Sequence, residues 1–151
     1  MKTTFTVPFP PSVNSMFATD WKTKRRFPSK QYIEWQAAAD AEFYRQRPRP
    51  VKGLVSVLIE LQDHADGRIR DGDNYVKGLF DRLKYFGIIE DDSRRFVREH
   101  TVRWDAGVEG ARITVTPWAA SHFKENIRPF QQIGAIADQV LAGLEKKEAA
   151  E

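Results

Sequence analysis

Two aspartates, Asp71 and Asp73, stand one residue apart where a strand-like run gives way to a helical one. Lys77 follows on the helical run, Asp81 comes one turn later, and the acidic triplet Glu90-Asp91-Asp92 closes the stretch. Side chains two apart in an extended segment point the same way, so Asp71 and Asp73 can present both carboxylates to one ion. Carboxylates this close resist joint ionisation unless a positive charge sits between them. Their hard oxygens suit magnesium or manganese, and such an ion activates water and stabilises the leaving oxygen of a phosphodiester. Asp73 precedes the helix, where it can cap free backbone N–H groups and where the helix dipole favours an anion. Lys77 shares its helical face and would counter negative charge developing nearby. A plainer reading of the same residues is a capped helix carrying solvated ion pairs, each worth about 0.2–0.5 kcal/mol. On this stretch alone the two readings stand level.

A chain of 151 residues suits a single domain with one core. It has no cysteine, which excludes disulfides and thiolate metal sites. The N-terminus lacks the apolar core of a secretory signal and no run reaches membrane-spanning length, so a cytoplasmic protein without a membrane partner is expected. The net charge is only +3, but residues 1–50 hold nine Lys/Arg against four Asp/Glu. A basic first third beside an acidic, metal-like cluster is what an enzyme acting on nucleic-acid phosphates needs.

The elements that must position these residues follow from periodicity. Thr4 to Phe9 alternates as a first strand and ends in Pro8, Pro10 and Pro11, with an ordered turn expected over Ser12 to Phe17. The basic run Trp21 to Phe27 has no useful period. Ser29 is a fitting N-cap for a helix to about Arg45, whose buried face is Tyr32, Trp35, Ala39 and Phe43. Leu54 to Leu61 reads as a central strand with Val55, Val57, Ile59 and Leu61 on one face. A helix is expected from about Asn74 to Phe86, burying Val76, Leu79, Phe80 and Leu83 and closed by Gly87 and Ile88. Phe96 to Trp104 and Ala111 to Thr116 suggest an antiparallel hairpin. Ile133, Ile136, Ala137, Val140, Leu141 and Leu144 recur at helical spacing, which predicts an amphipathic C-terminal helix. The order implies an α+β fold of two layers, a mixed β-sheet with helices on one face, plus a C-terminal helical tail.

The run Arg70-Asp71-Gly72-Asp73-Asn74-Tyr75-Val76-Lys77-Gly78-Leu79-Phe80-Asp81-Arg82-Leu83, with Gly87-Ile88-Ile89-Glu90-Asp91-Asp92 after it, resembles the RusA-type Holliday junction resolvases. That family carries Asp-x-Asp-Asn-x-x-Lys-x-x-x-Asp-x-Leu and an Asp-Asp pair shortly after a glycine. Its Pro-Pro-Ser-x-Asn start is matched by Pro10-Pro11-Ser12-Val13-Asn14. The resemblance spans residues 4 to about 117. It implies a homodimeric, Mg²⁺-dependent endonuclease, with Mn²⁺ expected to substitute, that nicks two opposed strands of a four-way DNA junction. It assigns the metal-binding aspartates to Asp71, Asp73 and Asp92 and the functional lysine to Lys77. Residues 1–117 are then the endonuclease domain and 118–151 a helical extension with no counterpart in shorter members. Gly72 stands where the family usually has an apolar residue, which predicts a looser hold on the two carboxylates.

For DNA contact the candidates are Asn14, Lys22, Lys24, Arg25, Arg26 and Arg70, with Trp21 and Phe27 able to stack on an exposed base. The alternatives are a junction-binding protein without catalysis, or a related nuclease acting on flaps, forks or RNA. The position of Asp92 raises a geometric question. A helix from Asn74 to Phe86 is about 20 Å long, and the five residues after Gly87 span about 17 Å at most. Either the chain doubles straight back, or Asp92 of one subunit completes the site of the other.

Overall fold

The computed structural model describes residues 1–64, 66 and 68–118. The C-terminal helix expected around Ile133–Leu144, and the 118–151 extension beyond Trp118, lie outside the described residues. No described helix is long and apolar enough to cross a membrane.

Among the described residues, six strands and three helices follow in chain order: β1 (Thr3–Val7), α1 (Val13–Met16), β2 (Phe17–Thr19), β3 (Arg26–Pro28), α2 (Lys30–Gln46), β4 (Val55–Gln62), α3 (Val76–Tyr85), β5 (Val97–Asp105) and β6 (Ala111–Pro117). A 3-10 turn, Gly72–Tyr75, leads into α3. The main sheet has the order β1-β6-β4-β5, and β2 and β3 make a separate two-stranded sheet. β5 pairs parallel to β4 while β6 pairs antiparallel to both β4 and β1, so the sheet is mixed. The expected α+β class is what the chain adopts.

Local chemistry explains the long elements. Ser29 caps α2 by accepting from the Tyr32 backbone N–H at 3.1 Å, and its hydroxyl donates to the Ser15 carbonyl at 2.6 Å. The buried residues of α2 are Tyr32, Trp35, Ala39 and Phe43, the face that helical spacing picks out. They meet Val55, Val57, Ile59 and Leu61 of β4 and Ile113 and Val115 of β6 in one core. Gly87, at φ +64°, ends α3, and the Ile88 N–H reaches the Leu83 carbonyl at 2.8 Å.

β5 and β6 do not form the expected hairpin. They flank β4, and the connection 106–110 crosses its end. There the Gln62 N–H donates to the Gly110 carbonyl at 2.9 Å and the Asp63 N–H to the Asp105 carbonyl at 3.2 Å. Crossing β4 requires two strand spacings of about 4.8 Å each, well within the reach of such a loop. On the β4 face opposite α2 and α3, Glu60 is 3% exposed. Its carboxylate accepts from Arg103 of β5 (Nε, 3.0 Å) and from Arg112 of β6 (Nε 2.5 Å, Nη2 2.8 Å). Three adjacent strands are thereby fastened by one buried carboxylate.

Candidate active site

The crossover from β4 to the parallel β5 carries the acidic motif, because parallel strands need a long connection over one face. Asp71 and Asp73 sit at its first bend, both exposed. Asp71 is extended (φ −97°, ψ 119°) and its Oδ1 accepts from the Asp73 N–H at 3.3 Å, so Asp71 rather than Asp73 does the capping. The helix begins two residues later than expected, at Val76, because the 3-10 turn takes up the residues before it.

Gly72 is a close approach. A Cβ there would lie 3.0 Å from Val102 Cγ1 and 4.0 Å from Trp104 Nε1 on β5. The missing side chain lets the Asp71–Asp73 bend lie against the edge strand. An aromatic cluster backs this bend. Phe9 stacks on Trp104 (6.4 Å, 21°) and touches Tyr75 (5.0 Å) and His64 (4.7 Å). Phe9 belongs to the proline-rich segment after β1, and Trp35 Nε1 fixes that segment by donating to the Pro8 carbonyl at 2.9 Å. The two sequence motifs, Pro8 to Asn14 and Arg70 to Leu83, therefore meet in space. Asn14 is exposed on α1, which packs against both the 3-10 turn and α3.

Along α3 runs a ladder of alternating charge. Lys77 Nζ lies 3.4 Å from Asp81 Oδ2, Asp81 Oδ1 lies 3.7 Å from Lys84 Nζ, and Lys84 Nζ lies 3.1 Å from Asp92 Oδ2. The Asp92 carboxylate, followed by that of Asp81, raises the Lys84 pKa. Asp91 turns aside to accept from the Ser93 N–H at 3.3 Å, and the Ser93 hydrogen bonds lower its pKa. Asp92 is thus held by Lys84 in the last turn of α3, whereas Asp71 and Asp73 lie before its first turn. Among the described residues no three His, Asp or Glu side chains come together as a metal-binding group. Lys84 is not among the residues expected at the site, and its only sequence signal is the i, i+3 spacing from Asp81.

The basic run folds as the tip of a hairpin between β2 and β3. Asp20 accepts from the backbone N–H of Lys22 (2.7 Å) and Thr23 (3.0 Å), which lower its pKa, and Lys24 takes the left-handed conformation at φ 57°. Lys22, Lys24, Arg25 and Arg26 are all exposed there, and Trp21 is 75% exposed beside them. Arg70 pairs within its own loop. Its guanidinium grips both Asp66 oxygens at 2.8 and 2.6 Å, which holds the Asp66 carboxyl well below the usual carboxylate range.

A mixed α+β sheet thus carries paired carboxylates on its crossover, a lysine one turn on and an exposed basic hairpin. The family described as endodeoxyribonuclease RusA matches residues 8–116. A crossover junction endodeoxyribonuclease rusA of Enterobacteria phage HK97 is 35% identical over 95 residues, covering 60% of this chain and 73% of that protein. The chain belongs to the RusA endodeoxyribonuclease family.

Proposed function

We propose that this chain is a divalent-metal-dependent, structure-selective endonuclease that resolves four-way DNA junctions by paired, symmetric nicks, working in the cytoplasm as a homodimer. The observation that carries this reading is the exposed Asp71–Asp73 pair on a bend pressed against β5, with Lys77 one turn beyond. The likeness to the crossover junction endodeoxyribonuclease of phage HK97 supports the choice of substrate. Two carboxylates supply hard oxygen donors of the kind Mg²⁺ and Mn²⁺ take, but they are an incomplete set within one chain. Asp92 of a second copy supplies the third, which makes dimerisation a condition for metal binding. When bound, the metal lowers the pKa of water and stabilises the leaving oxygen. Lys77 counters charge on the phosphate, and Lys22, Lys24, Arg25 and Arg26 grip flanking phosphates. A two-fold dimer matches the paired strands of a junction.

Asp73→Asn abolishes nicking of a synthetic junction in Mg²⁺ while leaving binding in EDTA nearly intact. Full cleavage by that variant rules the assignment out. Mixing subunits carrying Asp71→Asn with subunits carrying Asp92→Asn restores nicking through one intact shared site per mixed dimer. Mixed dimers as inactive as either parent refute the sharing of Asp92.

A further inference from the structure

The chain leaving Asp92 turns at once into arginine. Arg94, Arg95 and Arg98 put three guanidiniums within five residues, all of them exposed. The turn that presents them is fixed, because the Ser93 carbonyl accepts from the Phe96 and the Val97 backbone N–H, each at 2.9 Å. Arg98 is an extra residue in β5. Val55 of β4 stands opposite Val97 and Ser56 stands opposite Glu99, so Arg98 has no partner in the ladder. Such bulges are rare between parallel strands, and they re-aim a side chain. Here the Arg98 guanidinium lies 5.6 Å from the Trp118 ring, and its Nη1 donates to the Arg94 carbonyl at 3.5 Å. Arg95 lies over the Phe96 ring at 5.9 Å.

Arginines set beside acids ordinarily answer the charge of those acids. These do not. Glu90 accepts from the Gly53 N–H at 2.8 Å, Asp91 from the Ser93 N–H, and Asp92 pairs with Lys84. Among the described residues none of the three arginines forms an ion pair. A guanidinium laid on an aromatic face keeps the N–H fork at its edge open, the geometry that takes a phosphate. Three of them along an exposed turn and an edge strand fit a polyanion lying across them. Position selects which polyanion. Arg94 is two residues from Asp92, so their Cα atoms are at most about 7 Å apart, and any DNA strand that Asp92 meets lies within reach of Arg94. We propose that Arg94, Arg95 and Arg98 clamp the DNA backbone beside the phosphate that Asp92 serves, a second grip separate from the Lys22–Arg26 hairpin. The third carboxylate and the cations that offset its repulsion of DNA then arrive together on one turn. This rests on the nuclease reading and deepens it.

The test is junction binding by the full chain in EDTA at several salt concentrations. Arg94→Ala with Arg95→Ala should flatten the slope of log K against log salt by about 1.8. Arg94→Lys with Arg95→Lys keeps both charges and should leave the slope near that of wild type. Both residues are exposed, so neither pair of substitutions threatens the fold. Junctions with one phosphate at a time replaced by a neutral methylphosphonate locate the contact. Wild type should lose affinity severalfold at positions within about three phosphates of the nicked bond, and the alanine pair should lose nothing further there. A slope unchanged by the alanine pair, or flattened as much by the lysine pair, overturns the clamp. So does a methylphosphonate loss that is the same in both proteins or confined to more distant phosphates. A slope flattened as expected on a junction that Mg²⁺ leaves uncut overturns the nuclease reading instead and leaves the clamp standing.

Discussion

Glu60 links the electrostatics of the sheet to the strand that backs the candidate site. Its carboxyl is held at about 2, below the usual 4.5, chiefly by the Arg112 hydrogen bonds and then by Arg103, against the opposing effect of burial. The unfolded chain therefore takes up a proton first as the pH falls. The stabilisation is complete above pH ~4.5 and is lost between there and pH ~2. At ~1.36 kcal/mol per pH unit the difference is worth about 3 kcal/mol, and about 2 kcal/mol of it should be gone by pH ~3. Against a total stability of about 5–15 kcal/mol that is a large share. Urea unfolding followed by tryptophan fluorescence at pH ~6 and pH ~3 measures it. Other carboxylates also titrate in this range, so the informative quantity is the difference between wild type and Glu60→Gln. The variant starts up to about 3 kcal/mol less stable at neutral pH. It should lose about 2 kcal/mol less than wild type on acidification. Equal losses in the two proteins would refute the assignment of a depressed, ion-paired Glu60.

Two further outcomes follow from the site. Gly72→Leu puts a Cβ 3.0 Å from Val102 Cγ1, so where the Asp71–Asp73 bend gives way rather than Val102, junction nicking should fall more than about tenfold. Adding Val102→Ala should recover part of the loss, and no recovery would show that the contact is not the cause. Replacing Lys24 and Arg25 together with alanine should weaken junction binding across sequences and flatten the slope of log K against log salt by about 1.8. Filter binding at several salt concentrations reads this, and an unchanged slope removes the hairpin from the interface.

Much of this architecture is legible in the sequence where a local period carries it. The α2 face, the Ser29 cap, the Gly87 stop and the inward residues of β4 each follow from spacing that one element expresses alone. Strand partners are different. A short loop between β5 and β6 looks the same whether it joins paired strands or steps over a third, and only the parallel crossover through α3 decides. β2 and β3 stayed hidden because strands of three residues are too short to show an alternation. Within the site, the acidic motif announced itself by residue type. The reason for Gly72 lies thirty residues away in Val102, and the hold of Lys84 on Asp92 depends on how the chain turns after Gly87.

The sheet order also sets a timetable. β1 is made first, yet its partner β6 is the last of the described strands to be made, with Phe5 opposite Ile113. At roughly 5–20 residues per second of synthesis, the first strand waits about 5–20 seconds for the last. Phe9 and Trp104, which back the carboxylate bend, come from those same two ends of the domain. A ribosome-bound chain that stops short of β5 has every acidic residue of the motif but neither Val102 nor Trp104 beneath them. Folding built on such distant contacts is slow, so the capacity to cut DNA arises only when the domain is complete.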